Sequence, residues 1–166
     1  MAILKVKTYP DEVLAKRSAE VELLRPEDLE FIKDLIETMF QSDGVGMAAP
    51  QVGVSKRIIV ISPEAKKGKE KVYINPEILL QSGTQLKEEG CLSVPGVTAE
   101  VRRAKTVKIR ARDLEWKETV FEAENLEARI LQHEIDHLDG KLFIDRLGFN
   151  QRREILPGLK MLRSKS

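Results

Sequence analysis

The chain has 166 residues, 42% of them hydrophobic, with 28 Lys and Arg against 27 Asp and Glu. That length suits one domain over residues 1–166, and a net charge of +1 argues against a DNA or RNA binder driven by a global positive field. No stretch approaches the roughly 20 apolar residues of a membrane span, and Met1–Val6 is too short and mixed for a signal peptide, so a cytoplasmic protein off the membrane is expected.

A short helix is expected at about 11–17, followed by a polar, turn-like link. Residues 26–40 read as an amphipathic helix. Pro26 suits its first position, Glu27, Asp28 and Glu30 suit its positive end, and Leu29, Ile32, Ile36 and Met39 repeat at helical spacing. The run Gly44-Val45-Gly46-Met47-Ala48-Ala49-Pro50-Gln51 is small and ends in an amide; it lets backbone approach a ligand, although a plain helix-to-strand loop explains it equally well. Arg57–Ile61 is a β-branched strand closed by Ser62-Pro63, and 64–71 is a charged loop. Short strands at 72–74 and 78–80 flank Asn75-Pro76. Val97–Arg112 alternates loosely, with Trp116–Glu122 as its hairpin partner across Asp113.

A helix over about 122–138 carries three stripes. Leu126, Ile130, His133 and His137 share one face, Leu131, Ile135 and Leu138 form a second apolar row, and Arg129, Gln132, Asp136 and Asp139 form a polar strip. A helix apolar on two sides packs deep in a domain, and Gly140 is placed to end it. The tail, about 149–163, is a basic helix with Arg152, Arg153, Lys160 and Arg163, which Pro157 is expected to kink or split.

The central helix holds His133-Glu134-x-x-His137, and these are the chain's only two histidines. Residues four apart lie one above the other, so both imidazoles can reach one metal ion, with Glu134 beside them to accept a proton from water. Chance placement on a solvated helix is the rival reading, and Ile135 and Leu138 argue against it. Two histidines leave a tetrahedral ion short of a third protein ligand. The only cysteine, Cys91, excludes an intrachain disulfide; a lone cysteine is usually a small buried hydrophobe, but next to flexible Gly90 it is a candidate for that ligand.

Gly44-x-Gly46-x-Ala48-Ala49-x-Gln51, Glu89-Gly90-Cys91-x-Ser93 and Gln132-His133-Glu134-x-x-His137, in that order, resemble peptide deformylase. The resemblance implies an α+β fold, with antiparallel sheets packed around a central metal-binding helix, N-terminal helices and a C-terminal helix. It implies removal of the formyl group from N-formylmethionine on nascent chains. Ferrous iron is the native metal it implies, with zinc, nickel or cobalt able to occupy the site. Residue by residue it implies Cys91, His133 and His137 as metal ligands and Glu134 as the acid/base. Gln51 and the Leu92 N–H become donors to the oxyanion, and Gly46 a backbone partner of the substrate. Val45, Leu126, Ile130 and His133 line the methionine pocket, and Glu89 pairs with Arg103 behind the site. Some relatives dock a basic C-terminal helix on the ribosome, which the tail here permits. Met47 departs from the family's usual leucine, and Asn125, Glu127 and Lys87 from small or apolar residues, so preference beyond the methionine is left open. The main rival is a zincin-type metallopeptidase. That class takes a further His or Glu downstream, where this chain offers no histidine and only Glu154. A non-enzymatic, metal-structured or ribosome-associated module would leave Glu134 and Gln51 without a task.

Overall fold

The computed structural model describes residues 2–165. The elements run α1 (Pro26–Gln41), β1 (Gly46–Ala48), β2 (Ile58–Ile61), β3 (Lys71–Ser82), β4 (Gln85–Cys91), β5 (Val94–Arg103), β6 (Thr106–Arg112), β7 (Glu118–Glu124), α2 (Asn125–Leu138) and α3 (Phe149–Ser164), with 3-10 turns at Glu12–Ala15, Ala49–Val52 and Phe143–Arg146. The N-terminal helix expected at 11–17 is therefore one 3-10 turn, opened by Asp11, whose side chain accepts from the Val13 N–H.

β1-β2-β3-β6-β7 form one antiparallel sheet, and β4-β5 form a separate hairpin. The β-branched run of β2 is buried on both faces. Ile58 and Val60 pack with Ile32, Leu35 and Met39 of α1, whereas Ile59 and Ile61 pack with Ala128, Leu131 and Ile135 of α2. α1 and α2 therefore lie on opposite faces of the sheet. Leu35 replaces Leu29 in the buried stripe of α1: Leu29 is exposed, and Asp28 is buried instead, because it accepts from the Arg25 N–H and from Lys56.

The strands differ from the sequence reading at several points. Gly46–Ala48, read only as part of a small-residue run, is β1. The strand read at Trp116–Glu122 is β7 at Glu118–Glu124, so α2 opens at Asn125 rather than at about 122. Asn75-Pro76 does not divide β3; a bulge between Ile74 and Glu77 absorbs it, with Asn75 at φ 52°. Val97–Arg112 is two strands in different sheets, turned at Ala104-Lys105. β4 was not anticipated, since Lys87-Glu88-Glu89 hides its alternation. Pro157 lies inside α3 without splitting it. That helix covers the hairpin, placing Ile155 and Leu159 against Val97 and Val101. Gly140 ends α2 at φ 74°, so close to the first 3-10 turn that a Cβ there would lie 2.7 Å from the Ala15 carbonyl oxygen.

Candidate active site

α2 runs between the sheet and the hairpin and brings three distant segments together. Cys91 ends β4, where the ladder jumps: Gly90 pairs with Thr98 but Cys91 pairs with Val94, which leaves Pro95–Val97 out of the pairing. That irregularity turns the thiol toward α2. Cys91 Sγ lies 3.4 Å from His137 Nε2, and one ligand atom each from Cys91, His133 and His137 falls within 4.8 Å of the others.

This donor set fits a metal ion. Tetrahedral bonds of the usual Zn–S and Zn–N lengths put sulfur and nitrogen about 3.5 Å apart, close to the observed spacing. His133 Nδ1 lies 2.9 Å from Glu89 Oε1 and donates to that carboxylate, which leaves the Nε2 lone pair for coordination. Burial holds the His137 imidazole well below its usual pKa, so it is neutral and able to ligate. Burial also disfavours charge on His133, but bonds to Cys91 and Glu89 outweigh it and raise that imidazole to about 10; an incoming cation displaces this proton.

Glu134 is 4% exposed, and its Oε1 has no hydrogen-bond partner. Burial pushes its carboxyl up to about 7. It faces Gly46 of β1, where a Cβ would lie 2.6 Å from Glu134 Oε2 and 2.9 Å from the Ile130 methyl carbon Cγ2. Only glycine leaves room for the carboxylate there. The 3-10 turn Ala49–Val52 presents Gln51, whose Oε1 accepts from the Ala48 N–H at 2.9 Å. That bond fixes the amide orientation and points Nε2 at Cys91 Sγ (3.6 Å) and Ser93 Oγ (3.3 Å). Leu92 and Ser93 form the tight turn between β4 and β5, so the Leu92 backbone stands beside the thiol.

A cavity of about 560 Å³ opens over this cluster. Val45, Leu126 and Ile130 line it together with His133, Gln51 and Leu92, so the sequence-predicted pocket residues meet. Ile130 is buried, whereas Leu126 is 52% exposed and stands at the mouth.

Behind the metal cluster lies a buried charge network larger than the expected Glu89–Arg103 pair. Arg103 donates to both Glu89 oxygens at 2.9 Å and to Asp136 at 2.6 Å. Arg129 also binds Glu89, and Arg146 binds both oxygens of Asp136. Burial raises Glu89, yet the bonds from His133 and Arg103 prevail and hold it at about 2, so it stays ionised. The sequence reading missed Arg129, Asp136 and Arg146. For Arg129 and Asp136 a hint was available, since they stand in the polar strip of a helix apolar on two sides; Arg146, in the last 3-10 turn, carried none. Ser93 was quoted in the motif but given no role.

The family profile described as Polypeptide deformylase matches residues 3–153. A peptide deformylase of Thermodesulfovibrio yellowstonii is 48% identical over 149 residues, covering 89% of this chain and 90% of the relative. One from Clostridium botulinum is 49% identical over 146 residues, covering 88% and 97%. The crystal structure of a peptide deformylase from Legionella pneumophila superposes with a TM-score of 0.92 at 42% identity, over 98% of this chain and 96% of that one. A sulfur and two imidazoles gathered beside a glycine-walled carboxylate, a family match over residues 3–153 and a fold shared with the Legionella enzyme make the chain a member of the polypeptide deformylase family.

Proposed function

We propose that the chain is a metal-dependent hydrolase that removes the formyl group from the N-terminal formylmethionine of nascent polypeptides and releases formate, acting as one catalytic domain over residues 1–166. One observation carries this reading: a buried Glu134 with an unpartnered Oε1 stands beside a three-donor cluster in a largely apolar cavity. Cys91, His133 and His137 hold a single divalent ion, ferrous iron in the cell, with zinc, nickel or cobalt able to replace it. Thiolate with two imidazoles suits these ions better than magnesium or calcium. The bound cation supplies Lewis acidity, acidifying water and polarising the formyl carbonyl.

The chain's own groups do the rest. Glu134 takes the proton from the attacking water and passes it to the leaving amine; a carboxyl raised toward neutrality suits both transfers. Gln51 Nε2 and the Leu92 N–H donate to the oxygen that turns negative, and losing one such donor typically costs about 3 kcal/mol of barrier. β1 is the edge of its sheet, so an extended peptide adds as a further strand at Gly46. Val45, Leu126, Ile130 and the His133 ring receive the methionine side chain. Glu89, held by Arg103 and Arg129, fixes the His133 ring.

The partners are formylated peptides and nascent chains, in the cytoplasm. No described helix is long and apolar enough to cross a membrane. α3 exposes Phe149 and Met161 beside Arg152, Arg153 and Lys160, and this face is the proposed contact with the ribosome. The zincin alternative lacks its further ligand: among the described residues the group that could hold an ion is Cys91, His133 and His137.

The test is formate release from a formyl-Met peptide, with metal analysis of protein purified without air. Glu134→Gln abolishes turnover and keeps one metal per chain. Loss of the metal in that variant would assign Glu134 to coordination instead.

A further inference from the structure

A second pocket, of about 400 Å³, opens on the far side of the charge network from the cavity described above. It is bounded by the β3–β4 turn (Ser82, Gly83, Thr84), the end of β5 (Arg102, Arg103) and Arg146 from the last 3-10 turn. The charged residues on its wall are Arg102, Arg103, Arg146 and Asp136, so the wall carries three positive charges against one negative.

The single carboxylate has nothing left to offer. Both Asp136 oxygens are already bound, one by Arg103 and Arg146 and the other by Arg146. Gln132 is spent too, bound to both backbone groups of Ala104 and to the Ala128 carbonyl. What remains is a surplus of donors. Arg102 is exposed and makes no ion pair among the described residues, and Arg146 uses Nε and Nη2 on Asp136 while keeping Nη1. Ser82 and Thr84 line the same wall. Arg103 is also neutralised by Glu89 behind the wall, so the unspent positive charge is that of Arg102 and the free Nη1 of Arg146; such a concavity, with its carboxylate occupied, suits an oxyanion.

We propose that this pocket binds a doubly charged phosphate group, free or as a small phosphomonoester, at a site separate from the metal cluster. The ligand would bridge the β3–β4 turn, the end of β5 and Arg146. Three segments distant in the chain would then be tied by one anion, so binding stabilises the fold.

The metal-loaded protein is titrated with inorganic phosphate, and separately with glycerol phosphate, at ionic strength held constant with chloride. Binding is followed by calorimetry and by amide NMR. The proposal expects saturable binding at millimolar concentration or tighter, shifts centred on Ser82, Gly83, Thr84 and Arg102, and a raised thermal midpoint that chloride does not reproduce. Arg102→Ala and Arg146→Ala each weaken binding about tenfold, with Arg146→Lys recovering part of it. Should Arg146→Ala misfold, the exposed Arg102→Ala alone decides. Tighter binding of the ester identifies the monoester as the ligand, and equal binding identifies the bare anion. Non-saturating behaviour overturns the proposal. So do shifts confined to Gly46 and Leu92 that Arg102→Ala leaves unchanged, since the anion then sits at the metal cluster.

Discussion

Replacing Gly46 by alanine adds one methyl group at the most crowded point of the cavity. Its Cβ would lie 2.6 Å from Glu134 Oε2, 2.9 Å from Ile130 Cγ2 and 3.0 Å from Glu134 Cδ. An unstrained carbon–oxygen contact needs roughly 3.3 Å, so the carboxylate must retreat by about 0.7 Å. Gly46 is not at positive φ, so alanine is tolerated by the backbone and the effect is purely one of space. Overpacking of this kind costs about 1–3 kcal/mol of stability. Misplacing a catalytic group by about 1 Å can cost about 100-fold in rate, so kcat should fall about 10- to 100-fold. KM should rise as well, because the same methyl presses on Ile130 of the proposed methionine pocket and stands where the substrate strand is proposed to add. Gly148→Ala is the control, as nothing lies within 4 Å of a Cβ there. The assays are steady-state formate release and urea unfolding of both variants. Gly46→Ala protein with kcat within twofold of the parent would refute the claim that this glycine sets the position of Glu134.

Arg103→Leu strips Glu89 and Asp136 of a shared buried partner, so denaturant unfolding should report a loss of about 3–5 kcal/mol, together with weaker metal retention through the freed His133 ring. Asp28 is held below its usual pKa: burial raises it, but bonds from Lys56 and the Arg25 N–H prevail. Its stabilisation is therefore complete above the ordinary value of 3.8 and is lost as pH falls through the lower folded value. Asp28→Asn should cost about 1 kcal/mol at neutral pH and flatten the acid limb of a stability–pH curve; parallel curves for the two proteins would contradict this. Formyl-Met peptides should be cleaved and acetyl-Met peptides scarcely, since a methyl group must occupy the place of a hydrogen; equal rates in a formate and acetate assay would remove the substrate assignment.

What could be read from the chain followed from local periodicity. His133 and His137 share a helical face whatever surrounds them, and the β-branched run at Ile58–Ile61 is a strand in almost any context. The start of α1 and the end of α2 were legible through Pro26 and Gly140. Resemblance in three ordered motifs added Cys91, Gln51, Leu92, Val45, Gly46, Leu126 and Ile130, and all of these line one cavity together with Glu134. β4 was lost because Lys87-Glu88-Glu89 is charged on both faces: one face meets solvent, and the other meets guanidinium groups rather than apolar side chains. Period-2 patterning cannot reveal a strand whose inner face is ionic.

By itself the sequence determined α1, α2, α3 and β2, and the spacing that aims two imidazoles and a carboxylate the same way. Only the tertiary structure decided which partners the polar strip of α2 meets: Glu89 and Arg103 from far away in the chain, and Arg146 from the following 3-10 turn. It alone brought the sulfur of β4 within reach of His137, and the glycine of β1 against Glu134. The physical reason is that periodicity reports which side of an element is apolar, whereas a contact between charges depends on what another segment places opposite, and no local pattern encodes that.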